Sequence, residues 1–201
     1  LPFDSFGYHG TLLSLLNPYG LWTGAFFVLL FLVHGALWMA LKTAGGLEER
    51  ALRFVRNGWP YLLAAAVVFL FWTVPGTKLE ENYLRRPYWL IVPLLAVLSL
   101  VLIRIWAARR KAGAAFFASC SAIVLVTFTG FIGLYPDLIP SRLDPAASLT
   151  AFNASSSPYT LKIMTIVALV FVPIVSGYQI WVYRVFRRKV DEREASESPT
   201  Y

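Results

Sequence analysis

Residues 130–190 read GFIGLYPDLIPSRLDPAASLTAFNASSSPYTLKIMTIVALVFVPIVSGYQIWVYRVFRRKV. A turn-rich segment from Tyr135 to Thr160 lies between two apolar runs, and the second run ends in Arg184, Arg187, Arg188 and Lys189. That order predicts an ordered loop on one face of a membrane, then a spanning helix anchored by cations at the other face. Pro136, Pro140 and Pro145 forbid a continuous helix, while Asp137, Ser141 and Asp144 can bond nearby backbone amides in turns. Ser157 followed by Pro158 suits an N-cap and a first helical position. The hydroxyl accepts from an otherwise unpaired amide, and proline lacks the amide that would be unpaired there. The last helix is therefore expected to start at Pro158.

Working outward, the composition agrees. The 201 residues are 58% hydrophobic, 16% aromatic and 14% charged, against about 25% charged in soluble domains. Five runs free of Asp, Glu, Lys and Arg approach or exceed the length needed to cross a hydrocarbon core: 21–41, 57–77, 87–103, 112–136 and 163–183. The third is short unless Arg104 snorkels and Ile105 and Trp106 extend it. The fold class expected is all-α, a polytopic integral membrane bundle of five transmembrane helices. Residues 1–190 are expected to form one membrane-embedded domain and residues 191–201, DEREASESPTY, a disordered cytoplasmic tail.

The net charge of +7 gathers at the ends of the apolar runs. Topology accounts for it, and no nucleic-acid partner is expected. Of the 18 basic residues, 13 fall on the side of the carboxyl tail and 5 on the other. The positive-inside rule then makes the C-terminus cytoplasmic and the 137–160 loop external. Between the first two spans, Gly45-Gly46 breaks the helix, and LEERALRFVRNG reads either as a short helix lying on the inner surface or as a solvated charged connection. Trp59-Pro60-Tyr61 and Pro87-Tyr88-Trp89 are expected to open the second and third spans. Residues 1–20 suggest an interfacial helix or a packed loop.

Chemistry inside the spans is sparse. Cys120, the single cysteine, lies in an apolar run and is read as a packing residue. His34 is the intramembrane polar candidate. It can pack against a neighbouring helix or a water through a hydrogen bond, handle protons, or pair with Met164 across a haem. Tyr178, Gln179, Trp181 and Tyr183 can either form an aromatic belt or hold a quinone headgroup. Asn153-Ala154-Ser155 spells a glycosylation acceptor, but capping and loop ordering account better for Asn153, Ser155, Ser156 and Ser157. No nucleophile triad, zinc spacing or phosphate-cradling loop is present.

Four phrases carry a family resemblance. GLYPDLIPS (133–141), SLTAFNASSSPYTLKIM (148–164), PIVSGYQIWVYRVF (173–186) and LLNPYGLWTGAFFVLLFLVHGALWMALKT (15–43) resemble subunit II of the cytochrome bd quinol oxidases. The phrase from Asn153 to Met164 is the most specific of them. The resemblance implies the C-terminal portion of that subunit, since family members extend further at the amino end. It implies a bacterial or archaeal cell (inner) membrane, and a complex that couples oxidation of membrane quinol to reduction of O2 to water in the aerobic respiratory chain. The haems and the quinol-oxidising loop belong there to subunit I, the expected partner. This chain is expected to bind no haem or metal, to supply no catalytic residue, and to support assembly and the oxygen-reducing site. Membrane lipid is a further partner, and quinone binding is left open. Two alternatives stand beside this reading: a piece of a secondary transporter or membrane scaffold, and a quinone-binding subunit of the same oxidase.

Overall fold

The computed structural model describes residues 2–4, 7–11, 16–76, 79–141, 143–186 and 188–189; the expected tail at 191–201 lies outside the described residues. Five helices are long and apolar enough to cross a membrane. They are α1 (Pro18–Lys42), α2 (Gly46–Gly76), α4 (Ile91–Ala108), α5 (Ala112–Leu134) and α6 (Pro158–Val185), with a short α3 (Leu79–Arg85) between α2 and α4. A 3-10 turn, Pro87–Leu90, leads into α4. Two minimal ribbons complete the order: β1 (Phe3–Asp4) with β2 (Gly7–Tyr8), and β3 (Asp137–Ile139) with β4 (Leu149–Thr150), both antiparallel. The expected all-α membrane bundle is what is found.

Local sequence explains the helix ends. Asn17 caps α1, its side chain accepting from the Gly20 amide at 2.6 Å, and Pro18 takes the first helical position. Thr43 closes the other end, where its hydroxyl donates to the Met39 carbonyl at 2.8 Å. Gly45 then turns with φ of 71°, left-handed backbone that favours a residue without Cβ, and α2 starts at once. Between α4 and α5 the chain turns through Arg110 at φ 56°. The Lys111 amide reaches back to the Trp106 carbonyl at 2.9 Å and the Arg110 amide to Ala107 at 3.2 Å. This is the paired bonding of a Schellman end, with arginine occupying the usual glycine position.

Those two turns make two antiparallel hairpins, α1 with α2 and α4 with α5. They close into a ring because α1 also packs on α5 and α2 on α4. The core is a set of complementary small and large faces. Alanines 112, 115, 118 and 122 recur on α5 at intervals of three and four and are all buried, and α4, which packs on α5, buries Ala96, Leu100, Ile103 and Ala107. On the other hairpin Phe26 stacks on Phe69 at 5.3 Å, and Leu30, Leu37, Val55 and Leu62 are fully buried. Indole donors tie the seams to the backbone. Trp22 Nε1 donates to the Ala65 carbonyl at 3.2 Å, and Trp59 Nε1 to the Leu100 carbonyl at 2.8 Å.

Two expectations for the start of the second span are corrected. The 47–58 segment is neither a separate surface helix nor an irregular connection; it is continuous with the span in one 31-residue helix, α2. Trp59-Pro60-Tyr61 consequently lies inside α2 instead of opening it. Glu48, Glu49, Arg50, Arg53 and Arg56 lie on the part of the helix beyond the apolar length, where a helix already formed in the span propagates one backbone bond per added residue. At the third span the helix runs past Arg104 to Ala108. Near the amino end the described residues form the β1–β2 ribbon in place of an interfacial helix.

No sequence motif pointed to α3. It sits on the far end of α5, where Asn82 Nδ2 donates to the carbonyls of Ile132 (3.2 Å), Gly133 (2.8 Å) and Tyr135, and Tyr83 donates its hydroxyl to the Thr129 carbonyl at 2.7 Å. One amide group thereby serves the last turn of α5, whose carbonyls have no intrahelical partners. Burial pushes the Tyr83 phenol above its ordinary pKa, with hydrogen bonding at Thr129 opposing the shift. Asn82→Ala is expected to destabilise the detergent-solubilised protein by about 1–3 kcal/mol, the cost of part-buried carbonyls left unpaired. Asn82→Asp, which sets a carboxylate against those carbonyls, should cost more. Unchanged thermal unfolding of Asn82→Ala would show that α5 ends without this help.

Candidate functional site

The polar candidate within the spans is His34, half-buried and seventeen positions into α1 by its numbering from Pro18. Its partner is Ser119 of α5, which interrupts the alanine row and is fully buried. His34 Nδ1 and Ser119 Oγ are 2.8 Å apart, and Ser119 Oγ lies 2.7 Å from the Phe116 carbonyl of its own helix. A carbonyl only accepts, so the serine proton goes to Phe116. His34 must then supply the hydrogen of the first bond, which makes the neutral ring the Nδ1–H tautomer. Nε2 is left with its lone pair, and no described residue bonds it. Phe116 stacks on the ring at 4.7 Å, and Trp38, one turn along α1, packs on Phe116 at 5.3 Å.

The second group of candidates shapes the loop and the start of α6. Ser157 caps α6: its hydroxyl accepts from the Thr160 amide at 3.3 Å and also meets the Thr160 hydroxyl at 3.0 Å, with Pro158 at the first position. Asn153 organises the loop with both ends of its amide. Oδ1 accepts from the Thr150 amide at 2.7 Å, and Nδ2 donates to the Ser148 carbonyl at 2.9 Å. Ser148, buried and without any sequence signal, accepts from the Ser141 amide at 3.0 Å and so crosses the loop. Ser155 and Ser156 are exposed between these features.

Tyr178, Trp181 and Tyr183 are all more than half exposed on α6. Tyr178 and Trp181 meet at 6.1 Å, while Tyr183 turns its edge to Trp38 at 5.5 Å. Beyond them the basic end of the molecule is held by exposed ion pairs, Arg110 with Glu49 and Lys189 with Glu48, both at 3.1 Å. Such pairs are worth little each. Lys42 adds a bond from Nζ to the Phe186 carbonyl at 2.8 Å. Met164 lies near the opposite end of α6 and is 59% exposed. Among the described residues no group of three or more His, Cys, Asp or Glu is placed to hold a metal ion.

The pattern of the cytochrome bd terminal oxidase subunit II family matches residues 1–186. The chain belongs to this family. Its relatives include cytochrome bd ubiquinol oxidase subunit 2 of Bacillus subtilis (strain 168), 32% identical over 197 residues that cover 96% of this chain and 57% of the relative. Cytochrome bd-I ubiquinol oxidase subunit 2 of Escherichia coli (strain K12) is 29% identical, covering 92% and 56% respectively. A probable cytochrome oxidase subunit 2 of Haemophilus influenzae has the same identity and the same coverage. The chain thus spans little more than half the length of these relatives.

Ser157→Ala is expected to cost about 1 kcal/mol through the lost cap, with Ser157→Asp retaining most of the stability. Thermal unfolding in detergent measures both, and an unaltered alanine variant would remove Ser157 from the set of residues that fix α6.

Proposed function

We propose that this chain forms part of the haem-free membrane subunit of a cytochrome bd-type terminal oxidase. In that complex membrane quinol is oxidised and O2 reduced to water, with the haems held by a larger subunit I. Residues 1–190 act as one membrane-embedded unit that packs against subunit I and maintains the surroundings of its oxygen-reducing site, supplying no reacting group of its own. The observation that carries this reading is the family match across residues 1–186. The names of the relatives, ubiquinol oxidase subunits, supply the reaction class.

The arrangement of potential axial ligands supports the haem-free part. His34 commits Nδ1 to Ser119 and one ring face to Phe116. Trp38 of α1 meets Tyr183 of α6, and Met164 lies nineteen positions before Tyr183. At 1.5 Å per residue that places Met164 about 28 Å along α6 from the contact, and His34 only about 6 Å along α1 from it. A haem ligated by both residues does not fit that separation. Met39 of α1 is 51% exposed and lies on the other side of Trp38 from His34.

In the assembled oxidase, His34→Ala is expected to leave every haem absorption band at normal intensity per complex, with modestly lower stability. Loss of one complete haem signal at normal subunit stoichiometry would falsify the haem-free assignment. Purification through this chain should also bring down a larger coloured partner; a colourless preparation would instead favour a transporter or scaffold.

The basic end is proposed to face the cytoplasm and the 137–157 loop the outside, on the strength of the 13 to 5 division of basic residues. Ser148 is a poor labelling position because it is buried and bonded. A cysteine in place of exposed Ser156 should react with a membrane-impermeant reagent in intact cells, and one at Ser196 only after lysis. The reverse pattern overturns the orientation.

A further inference from the structure

The first turns of α2 face the α4–α5 turn across a cavity of about 260 Å3 lined by Gly45, Glu48, Glu49, Leu52, Arg56 and Arg110. That is far more than the roughly 10–15 Å3 that admits one water. Glu48, Leu52 and Arg56 follow at intervals of four and so stand on one face of α2. Buried Leu52 supplies the apolar part of the wall. Of the charged side chains, two are anionic and two cationic, so the lining carries no net charge. A simple anion is drawn by the arginines and repelled by the glutamates, and a simple cation meets the reverse. A ligand that carries both signs gains from both halves.

The ion pairs at the rim do not exhaust these groups. Glu48 gives Oε2 to Lys189 and Glu49 gives Oε1 to Arg110, both at 3.1 Å, which leaves each carboxylate a second oxygen. Such exposed pairs are worth little, so a ligand can share them at small cost. Arg56 is half-buried and bonds no described residue. Its planar fork of N–H donors matches phosphate oxygens. It is also the last charged residue before the apolar run 57–77, which puts it at the edge of the hydrocarbon. Helical side chains lean toward the N-terminus, here toward Gly46 and the water, so the guanidinium rises into the layer where phospholipid phosphates lie. Glu48 and Glu49 stand about two turns further out.

We propose that this cavity holds the headgroup of a zwitterionic phospholipid with a primary ammonium, of the phosphatidylethanolamine class. Arg56, with the remaining donors of Arg110, takes the phosphate, and the second oxygens of Glu48 and Glu49 take the ammonium. A primary ammonium has three N–H donors and a trimethylated one has none, so the two carboxylates distinguish lipids of equal charge. The place of Arg56 at the hydrocarbon edge favours a lipid over a soluble molecule with the same two charges, because acyl chains can continue beside α2. The site does not rest on the oxidase reading.

Native mass spectrometry of the full-length protein in its native assembly tests the assignment. The complex is stripped of lipid in detergent and offered phosphatidylethanolamine, phosphatidylcholine and phosphatidylglycerol with identical acyl chains. Phosphatidylethanolamine should be retained about fivefold over the other two at the tightest site, as charge-assisted hydrogen bonds in a half-exposed setting allow. Arg56→Gln should lower that adduct about fivefold, and Arg56→Lys should keep most of it. Glu48→Gln with Glu49→Gln should abolish the discrimination against phosphatidylcholine and raise retention of phosphatidylglycerol. Equal retention of the three lipids by the unaltered protein overturns the proposal. A preference that survives every substitution places the lipid elsewhere and overturns it as well. Preference for phosphatidylglycerol makes the cavity an anion site and refutes the zwitterion. Glycerophosphoethanolamine, the same headgroup without acyl chains, should leave the adduct in place at millimolar concentration; displacement would identify a soluble ligand and overturn the lipid assignment.

Discussion

Hydrocarbon forms no hydrogen bonds, and that constraint governs how these helices hold together. Backbone groups within each span bond along the helix, so only the last turns and the side-chain donors need partners elsewhere. In this protein several of the donors are directed at backbone carbonyls of neighbouring elements. Trp22 reaches Ala65, Trp59 reaches Leu100, Tyr83 reaches Thr129, and Asn82 serves the end of α5. Carbonyls keep a second lone pair inside a helix, so such bonds add to the ladder without breaking it.

Apolar area alone cannot drive helices together in lipid, since lipid chains are as apolar as leucine. Close approach has to supply the adhesion. The alanine row of α5 lets α1 and α4 come near, and Ser119 takes an alanine's place in that row without adding bulk. Its hydroxyl bonds both its own helix and His34, so the histidine is fixed in one tautomer by the same surface that packs the bundle. Structure and candidate chemistry share one seam.

The last helix obeys a different logic. It is fixed at one end by the loop and the Ser157 cap, and at the other by Lys42, Lys189 and the Trp38 contact. Between those anchors its surface is largely apolar and its span is unburied.

The sequence by itself determined the number of spans, the start of α6 and the cap at Ser157, because hydrophobic length and cap chemistry are local properties. Family membership was also legible, in the phrases around Asn153 and Pro158. It did not determine that residues 46–76 form one helix. A break in hydrophobicity at residue 57 is not a break in backbone bonding, and charged residues extend a helix into water as readily as apolar ones extend it into lipid. Nor could it assign partners. Asn82 and Ser148 sit in stretches with no motif, yet one serves the end of α5 fifty residues away and the other crosses the loop. His34 was visible as a polar residue in a span, but its bond to Ser119 spans 85 residues of chain. Only the tertiary structure decides such pairs, because a hydrogen bond depends on which helix faces become neighbours, and periodicity along one helix carries no record of the helix beside it.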